Sequence, residues 1–129
     1  MHDITDVADI RILVHAFYKK VLNDDLLSPI FNQLVEESQW CGHLKIMVSF
    51  WQTNILFEQT YKGNPIQVHI KANAEVNHSI TQKHFDRWLQ LWRQTIEENF
   101  QGKNADVTKS RAKDMGKFIL YKMGESRKP

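Results

Sequence analysis

One cysteine, three prolines and five glycines in 129 residues leave this chain few means of cross-linking or breaking its backbone. Cys41 stands alone, so no internal disulfide can form, and a reducing compartment, the cytoplasm, is expected. A single thiol also excludes zinc-ribbon and iron–sulfur spacings. No apolar run approaches the roughly 20 residues of a membrane span. Asp3, Asp6 and Asp9 occupy the place where a secretory signal would carry positive charge. The net charge is only +2, and Lys and Arg are spread along the chain except near its end, so neither nucleic acid nor membrane is an expected partner. There is no alternating strand pattern, no repeat, no glycine-rich phosphate loop and no nucleophile elbow. Phosphate-loop enzymes and serine–histidine–acid hydrolases therefore find no support.

Large rings are what the chain does have: four Trp, seven Phe and three Tyr. A small domain so rich in them either builds a bulky core or wraps something flat. The length suits a single domain over residues 1–129, with a polar tail from about 125. Val7, Ile10, Leu13, Val14, Phe17, Tyr18, Val21 and Leu22 form a helical stripe behind Asp6 as N-cap. Ser28-Pro29 predicts the cap and first turn of a short helix. Ser38 is expected to cap a third, along which Trp40, Leu44, Met47, Phe50, Trp51 and Ile55 recur, with its end marked by Lys62-Gly63-Asn64-Pro65. Asn64-Pro65 opens a short helix to about Ile70, and Lys71 to Ser79 reads as a loop. Thr81 caps a long helix, with Ile80 stapled onto Phe85 and Gly102 as its stop. A last helix runs from Asn104 to Gly124. The class is all-α, with four substantial helices and two short ones.

Polar residues on inward stripes are the candidates for chemistry. Tyr18 lies beside Phe17, and His43 lies one turn after Trp40 and one turn before Met47. Taken singly, an inward Tyr or His is more often a satisfied core residue than a functional one. The six histidines, His2, His15, His43, His69, His78 and His84, contain no pair four apart, and Glu75-x-x-His78 has no second Glu-x-x-His to complete a carboxylate-bridged pair, so a bare-metal site is not expected. A haem, by contrast, needs only one strong protein ligand.

The separated anchors Phe17-Tyr18-Lys19-Lys20-Val21, Pro29-Ile30-Phe31, Trp40-x-x-His43 and Phe50-Trp51 resemble the truncated haemoglobins, specifically their third group. Tyr61-x-Gly63-x-Pro65-x-x-x-His69 and His84-Phe85-x-Arg87-Trp88-Leu89 continue the likeness, and the absence of a Gly-Gly pair agrees with that group. The resemblance implies a globin-like two-over-two helical sandwich around one haem b, with His69 as the proximal iron ligand. It carries Tyr18, His43 and Trp88 over as the distal ligand-binding set, side chains that can each donate a hydrogen bond. Phe31 is implied on the haem face and Met47 on the distal wall, with Phe50 and Trp51 as core or haem-edge packing. The plain alternatives are that His69 is an exposed polar residue and that Trp88 is core alone, since Trp92 shares its stripe. Lys71 to His78 departs from the family pattern, which leaves the haem-propionate contacts open and keeps His78 as a minority candidate for an iron or propionate partner.

The leading expectation is reversible binding of oxygen and other diatomic ligands at ferrous iron, in scavenging or redox protection. Nitric oxide, carbon monoxide and peroxide are the other small ligands implied. The alternative is a haem enzyme performing nitric oxide dioxygenation or peroxide activation, with an external reductase that the chain does not encode. A haem-free helical interaction module is the third.

Overall fold

The computed structural model describes residues 1–126, without the side chain of Ser126; residues 127–129, where the expected polar tail falls in part, lie outside the described residues. Six α-helices and one 3-10 turn make up the regular structure of that stretch. They are α1 (Val7–Leu22), α2 (Ser28–Leu34), the 3-10 turn (Glu37–Gln39), α3 (Trp40–Leu56), α4 (Pro65–Glu75), α5 (Gln82–Asn99) and α6 (Lys103–Ser126). α1 packs on α3 and on α5, α5 packs on α6, and α6 packs on α4. The result is the expected two-over-two arrangement, the α1/α3 pair lying over the α5/α6 pair.

Capping explains most of the boundaries, including the misplaced ones. Asp6 caps α1 by accepting from the Asp9 amide at 3.0 Å, as the sequence suggests. Ser28 does not cap α2; it is already helical, and Leu27 is the cap residue. Asp24 takes over the function, its Oδ2 accepting from the amides of Leu26 and Leu27 at 3.2 and 3.1 Å. Ser38 likewise lies inside the 3-10 turn rather than capping α3. α3 stops at Leu56, well before Lys62, because Phe57 is left-handed with φ 59°. The following segment is pinned back along α3, where Thr60 Oγ1 meets Ser49 Oγ at 2.9 Å and the Tyr61 amide donates to Thr53 Oγ1 at 3.0 Å.

α4 runs to Glu75, five residues beyond the expected end at Ile70, so only 76–81 form the turn into α5. Buried Asn73 holds that turn: its carbonyl accepts from the His78 amide at 2.7 Å, and its side chain accepts from the Ile80 amide at 3.1 Å. α6 continues past Gly124 to Ser126. Its first turn is capped from the other end of the chain, where the Asp3 carboxylate accepts from the amides of Asn104 and Ala105 at 2.9 and 2.8 Å. Gly102 (φ 145°) makes room for this, since a Cβ there would lie 2.5 Å from Asp3 Cγ.

Asp9 anchors the start of the chain. Burial alone would push its carboxyl up, but hydrogen bonds from His2, from the Thr5 amide and hydroxyl and from the Asp6 amide outweigh that and hold it at about 2. A carboxyl depressed in the folded state contributes stability that is present above its unfolded value, near 4, and is lost as pH falls through about 2. Replacing Asp9 with Asn should therefore lower Tm at pH 6 and flatten the acid-unfolding curve between pH 4 and 2. Equal pH dependence in both proteins would contradict this assignment.

Candidate functional site

The apolar interior is in two pieces. One is built on Ile10, Phe17, Trp51, Trp92 and their neighbours from α1, α3, α5 and the start of α6. The other joins Ile30, Val76, Ile80, Ile119 and Met123. Single helices contribute to both. On α5, Phe85 packs on the second core and Trp88 on the first; on α2, Leu34 faces the second and Phe31 the first; on α6, Met115 faces the first and Ile119 belongs to the second. The seam between the cores is thus lined by apolar side chains that are only half-buried, Phe31, Phe85 and Trp88 among them. A continuous core would seal such rings. A groove of about 510 Å³ opens between α3 and α4 and is lined by Lys45, Ile46, Ser49, Tyr61, Lys62 and Val68.

His69 belongs to the second side. Asn64 caps α4 by accepting from the amides of Ile66 and Gln67 at 3.1 and 3.2 Å, and Pro65 sets the first turn. One turn on, His69 Nδ1 lies 2.6 Å from the Pro65 carbonyl oxygen. A carbonyl can only accept, so the proton is on Nδ1 and Nε2 keeps its lone pair. Burial lowers the pKa of this imidazole, and the Pro65 bond opposes that, which favours the neutral ring over the imidazolium. Its neighbouring ring is Phe85, 6.3 Å away between centroids. Neutral, oriented and held by a backbone carbonyl, His69 has the state that metal-ligating histidines show. Among the described residues no three His, Cys, Asp or Glu side chains gather as a metal site. A metal ion held by His69 would have to draw its remaining bonds from something other than these side chains.

The first side brings Tyr18 and His43 together, with ring centroids 5.4 Å apart. Trp40 closes the group, 5.3 Å from His43 and 5.6 Å from Tyr18, and Phe31 stands 5.7 Å from Tyr18. Burial pushes the Tyr18 phenol up and the His43 imidazole down, so both are neutral. The His43 Nε2 atom is buried without a hydrogen-bond partner, a costly state unless something is to meet it there. Met47 is half-buried on the same helix, one turn further.

Trp88 is not in ring contact with that group. It stacks on Trp92 at 5.4 Å, with Phe17 edge-on at 4.9 Å, and remains half-buried at the seam. Phe50 and Trp51 are buried in the first core, Trp51 stacked on Trp92 and Phe50 against Tyr61. His78 is an exposed turn residue with φ 58°.

Two contributors escape a reading of stripes. Trp40 is one: it heads the α3 stripe three residues before His43, but the stripe alone does not assign it to the site. The other is a half-buried ion pair just beyond α1, where the partly exposed Arg87 donates from Nε to the buried Asp24 Oδ1 at 2.6 Å. Burial would raise the Asp24 carboxyl, yet this bond and the Leu27 and Leu26 amides keep it below its usual range. The pair ties the start of α2, which carries Phe31, to the residue before Trp88. Asp24→Ala should cost about 1–3 kcal/mol, because it leaves the guanidinium and two amides without this acceptor. The midpoint of urea unfolding measures it, and an unchanged midpoint would deny the pair that role.

A profile of bacterial-like globins matches residues 3–120. A group 3 truncated haemoglobin of Campylobacter jejuni is 28% identical over 117 residues, covering 87% of this chain and 88% of that protein. The crystal structure of a group III truncated haemoglobin from Campylobacter jejuni superposes with a TM-score of 0.84 at 25% identity, covering 95% of each chain.

Proposed function

The chain belongs to the bacterial-like globin family and has the fold of a third-group truncated haemoglobin, and on that premise we propose that it holds one haem b at the seam, with His69 as the iron's protein ligand, and reversibly binds oxygen and other diatomic molecules. The observation that carries this reading is the His69 imidazole, neutral and with Nε2 left free by the Nδ1–Pro65 bond, at the boundary of a divided core. The unpartnered His43 Nε2 supports it from the other side. When bound, a ferrous haem supplies an open coordination position where a diatomic ligand can be held and polarised.

The protein's own contribution is orientation, exclusion of water and hydrogen bonding. Pro65 and Asn64 fix the turn from which His69 projects. Phe31 and Met47 present apolar surface to the macrocycle, and Phe50 and Trp51 back the same wall from within the core. Tyr18 and His43 offer an O–H and an N–H to the outer atom of the ligand, and Trp88 offers an indole N–H from α5. Three neutral donors around one ligand favour retention over delivery, which suits scavenging or redox protection in the cytoplasm.

The test is spectroscopic. Haem-loaded, reduced protein should take up one oxygen or carbon monoxide per chain and release it on gas exchange; a spectrum indifferent to both gases would reject the reading. A second reading, nitric oxide dioxygenation or peroxide activation with an external reductant, is favoured by the same concentration of donors. Sustained nitric oxide consumption by the oxygenated protein with reductant would select it, whereas loss after one equivalent would select the carrier.

A further inference from the structure

The rings of the first core form a continuous path. Trp88 stacks on Trp92 (centroids 5.4 Å, planes 22° apart) and Trp92 stacks on Trp51 (4.8 Å, 26°). Trp51 meets Phe50 at 5.2 Å, and Phe50 meets Tyr61 at 5.1 Å. The path begins at the seam and ends at a half-buried phenol that lines the open groove between α3 and α4. Indoles and phenols are the ring side chains most easily oxidised, and stacked contact gives the orbital overlap that electron transfer between them requires.

We propose that Trp88, Trp92 and Trp51 relay an electron hole from the seam to Tyr61, so that this chain supplies one of the electrons that reduce a peroxide. The proposal rests on the haem reading above for its oxidant. Breaking the O–O bond of hydrogen peroxide to give two waters consumes two electrons and two protons. One electron would be supplied by the ferrous haem that His69 would hold, and one comes from Tyr61 through the rings, past Phe50. The Tyr61 phenol releases its proton to water in the groove and becomes a neutral tyrosyl radical. A small reductant of the thiol or ascorbate type returns one electron and one proton to it at the surface.

Packing alone does not account for Trp92. It is 1% exposed, and its Nε1 is buried without an acceptor, so for filling space a phenyl ring would serve without stranding a donor. In a relay that same feature is useful. An oxidised indole whose proton has nowhere to go keeps it, and the hole moves on instead of being trapped as a neutral radical. Tyr18 is the nearer phenol to His43 but a poor terminus. It is 6% exposed, so a reductant in solvent has little access to it. Tyr61, beside the groove, is free of that restriction.

The experiment is electron paramagnetic resonance on reduced, haem-loaded protein frozen soon after mixing with hydrogen peroxide, with and without ring-deuterated tyrosine. A radical whose signal narrows on tyrosine deuteration is expected. It should be lost in Tyr61→Phe and replaced there by a tryptophanyl signal, and largely lost in Trp92→Phe. A tyrosyl signal unchanged by Tyr61→Phe, or no protein radical while the haem spectrum responds to peroxide, would overturn the relay. Should Trp92→Phe fail to fold, Tyr61→Phe and the isotope still decide. Should the chain bind no haem, the haem reading fails separately, and the relay is tested by pulse radiolysis with azide radicals, which oxidise indole first. Decay of the indolyl absorbance into a tyrosyl band, absent in Tyr61→Phe, supports it, and decay without that band overturns it.

Discussion

Replacing Tyr18 with Phe should speed oxygen release by about 10- to 100-fold. The substitution keeps the ring and its contacts with Phe17, Phe31, Trp40 and His43, and removes only the hydroxyl. Burial keeps that hydroxyl protonated, so it acts as a donor throughout the ordinary pH range. A hydrogen bond to a strongly polarised acceptor is worth about 1.5–3 kcal/mol, and about 1.4 kcal/mol corresponds to each decade of rate when association is unchanged. Carbon monoxide is a weaker acceptor, so its release should change much less. Stopped-flow displacement of each gas measures both effects. An oxygen rate within twofold of the parent would move the principal donor to His43 or Trp88.

The second large effect is expected at His69. In His69→Gly the affinity for haem should fall by more than about 100-fold, since loss of a mere hydrogen-bond partner to a metal ligand already costs about 10- to 100-fold. Added imidazole should restore much of the absorbance, because the vacated space is cut to the shape of that ring. The fold should survive. His69 is half-buried, its ring hydrogen bond lies within its own helix, and α4 keeps its Asn64 cap and its packing on α6. Retention of a normal haem spectrum by His69→Gly without imidazole would place the ligand elsewhere, and His78 would be the next residue to examine.

Much of the architecture is legible in the sequence because its signals are local. The α1 stripe, the Asp6 cap, the Asn64-Pro65 start and the Thr81 cap each lie within a few residues of what they determine. What is not legible depends on distant partners. Ser28 and Ser38 have the chemistry of caps, yet Asp24 does the work for α2, and it is held by Arg87, 63 residues away. α3 ends early because hydroxyls of Ser49 and Thr53 capture Thr60 and Tyr61, contacts no periodicity reveals. α4 outruns its apolar stripe because the residue it buries one turn after His69 is polar Asn73.

The candidate site divides in the same way. Tyr18 and His43 share a neighbourhood that their two stripes suggest, and Trp40 joins them by lying one turn before His43. The division of the core into two pieces is a property of the tertiary packing, in which Phe85 and Trp88 of one helix serve different sides. Aromatic richness alone leaves open a bulky core or a wrapped plane. The half-buried rings along the seam favour the second, while Trp51, Trp88 and Trp92 show that the chain also builds the first.

Titration of haem into the purified chain, followed by Soret absorbance and tryptophan fluorescence together, tests the central claim most directly. Saturation at one haem per chain is expected, with a Soret band that requires His69 and with quenching of the indole emission, since Trp88 stands at the seam. An unsaturable weak band with undiminished fluorescence, or the same band in His69→Gly, would contradict it.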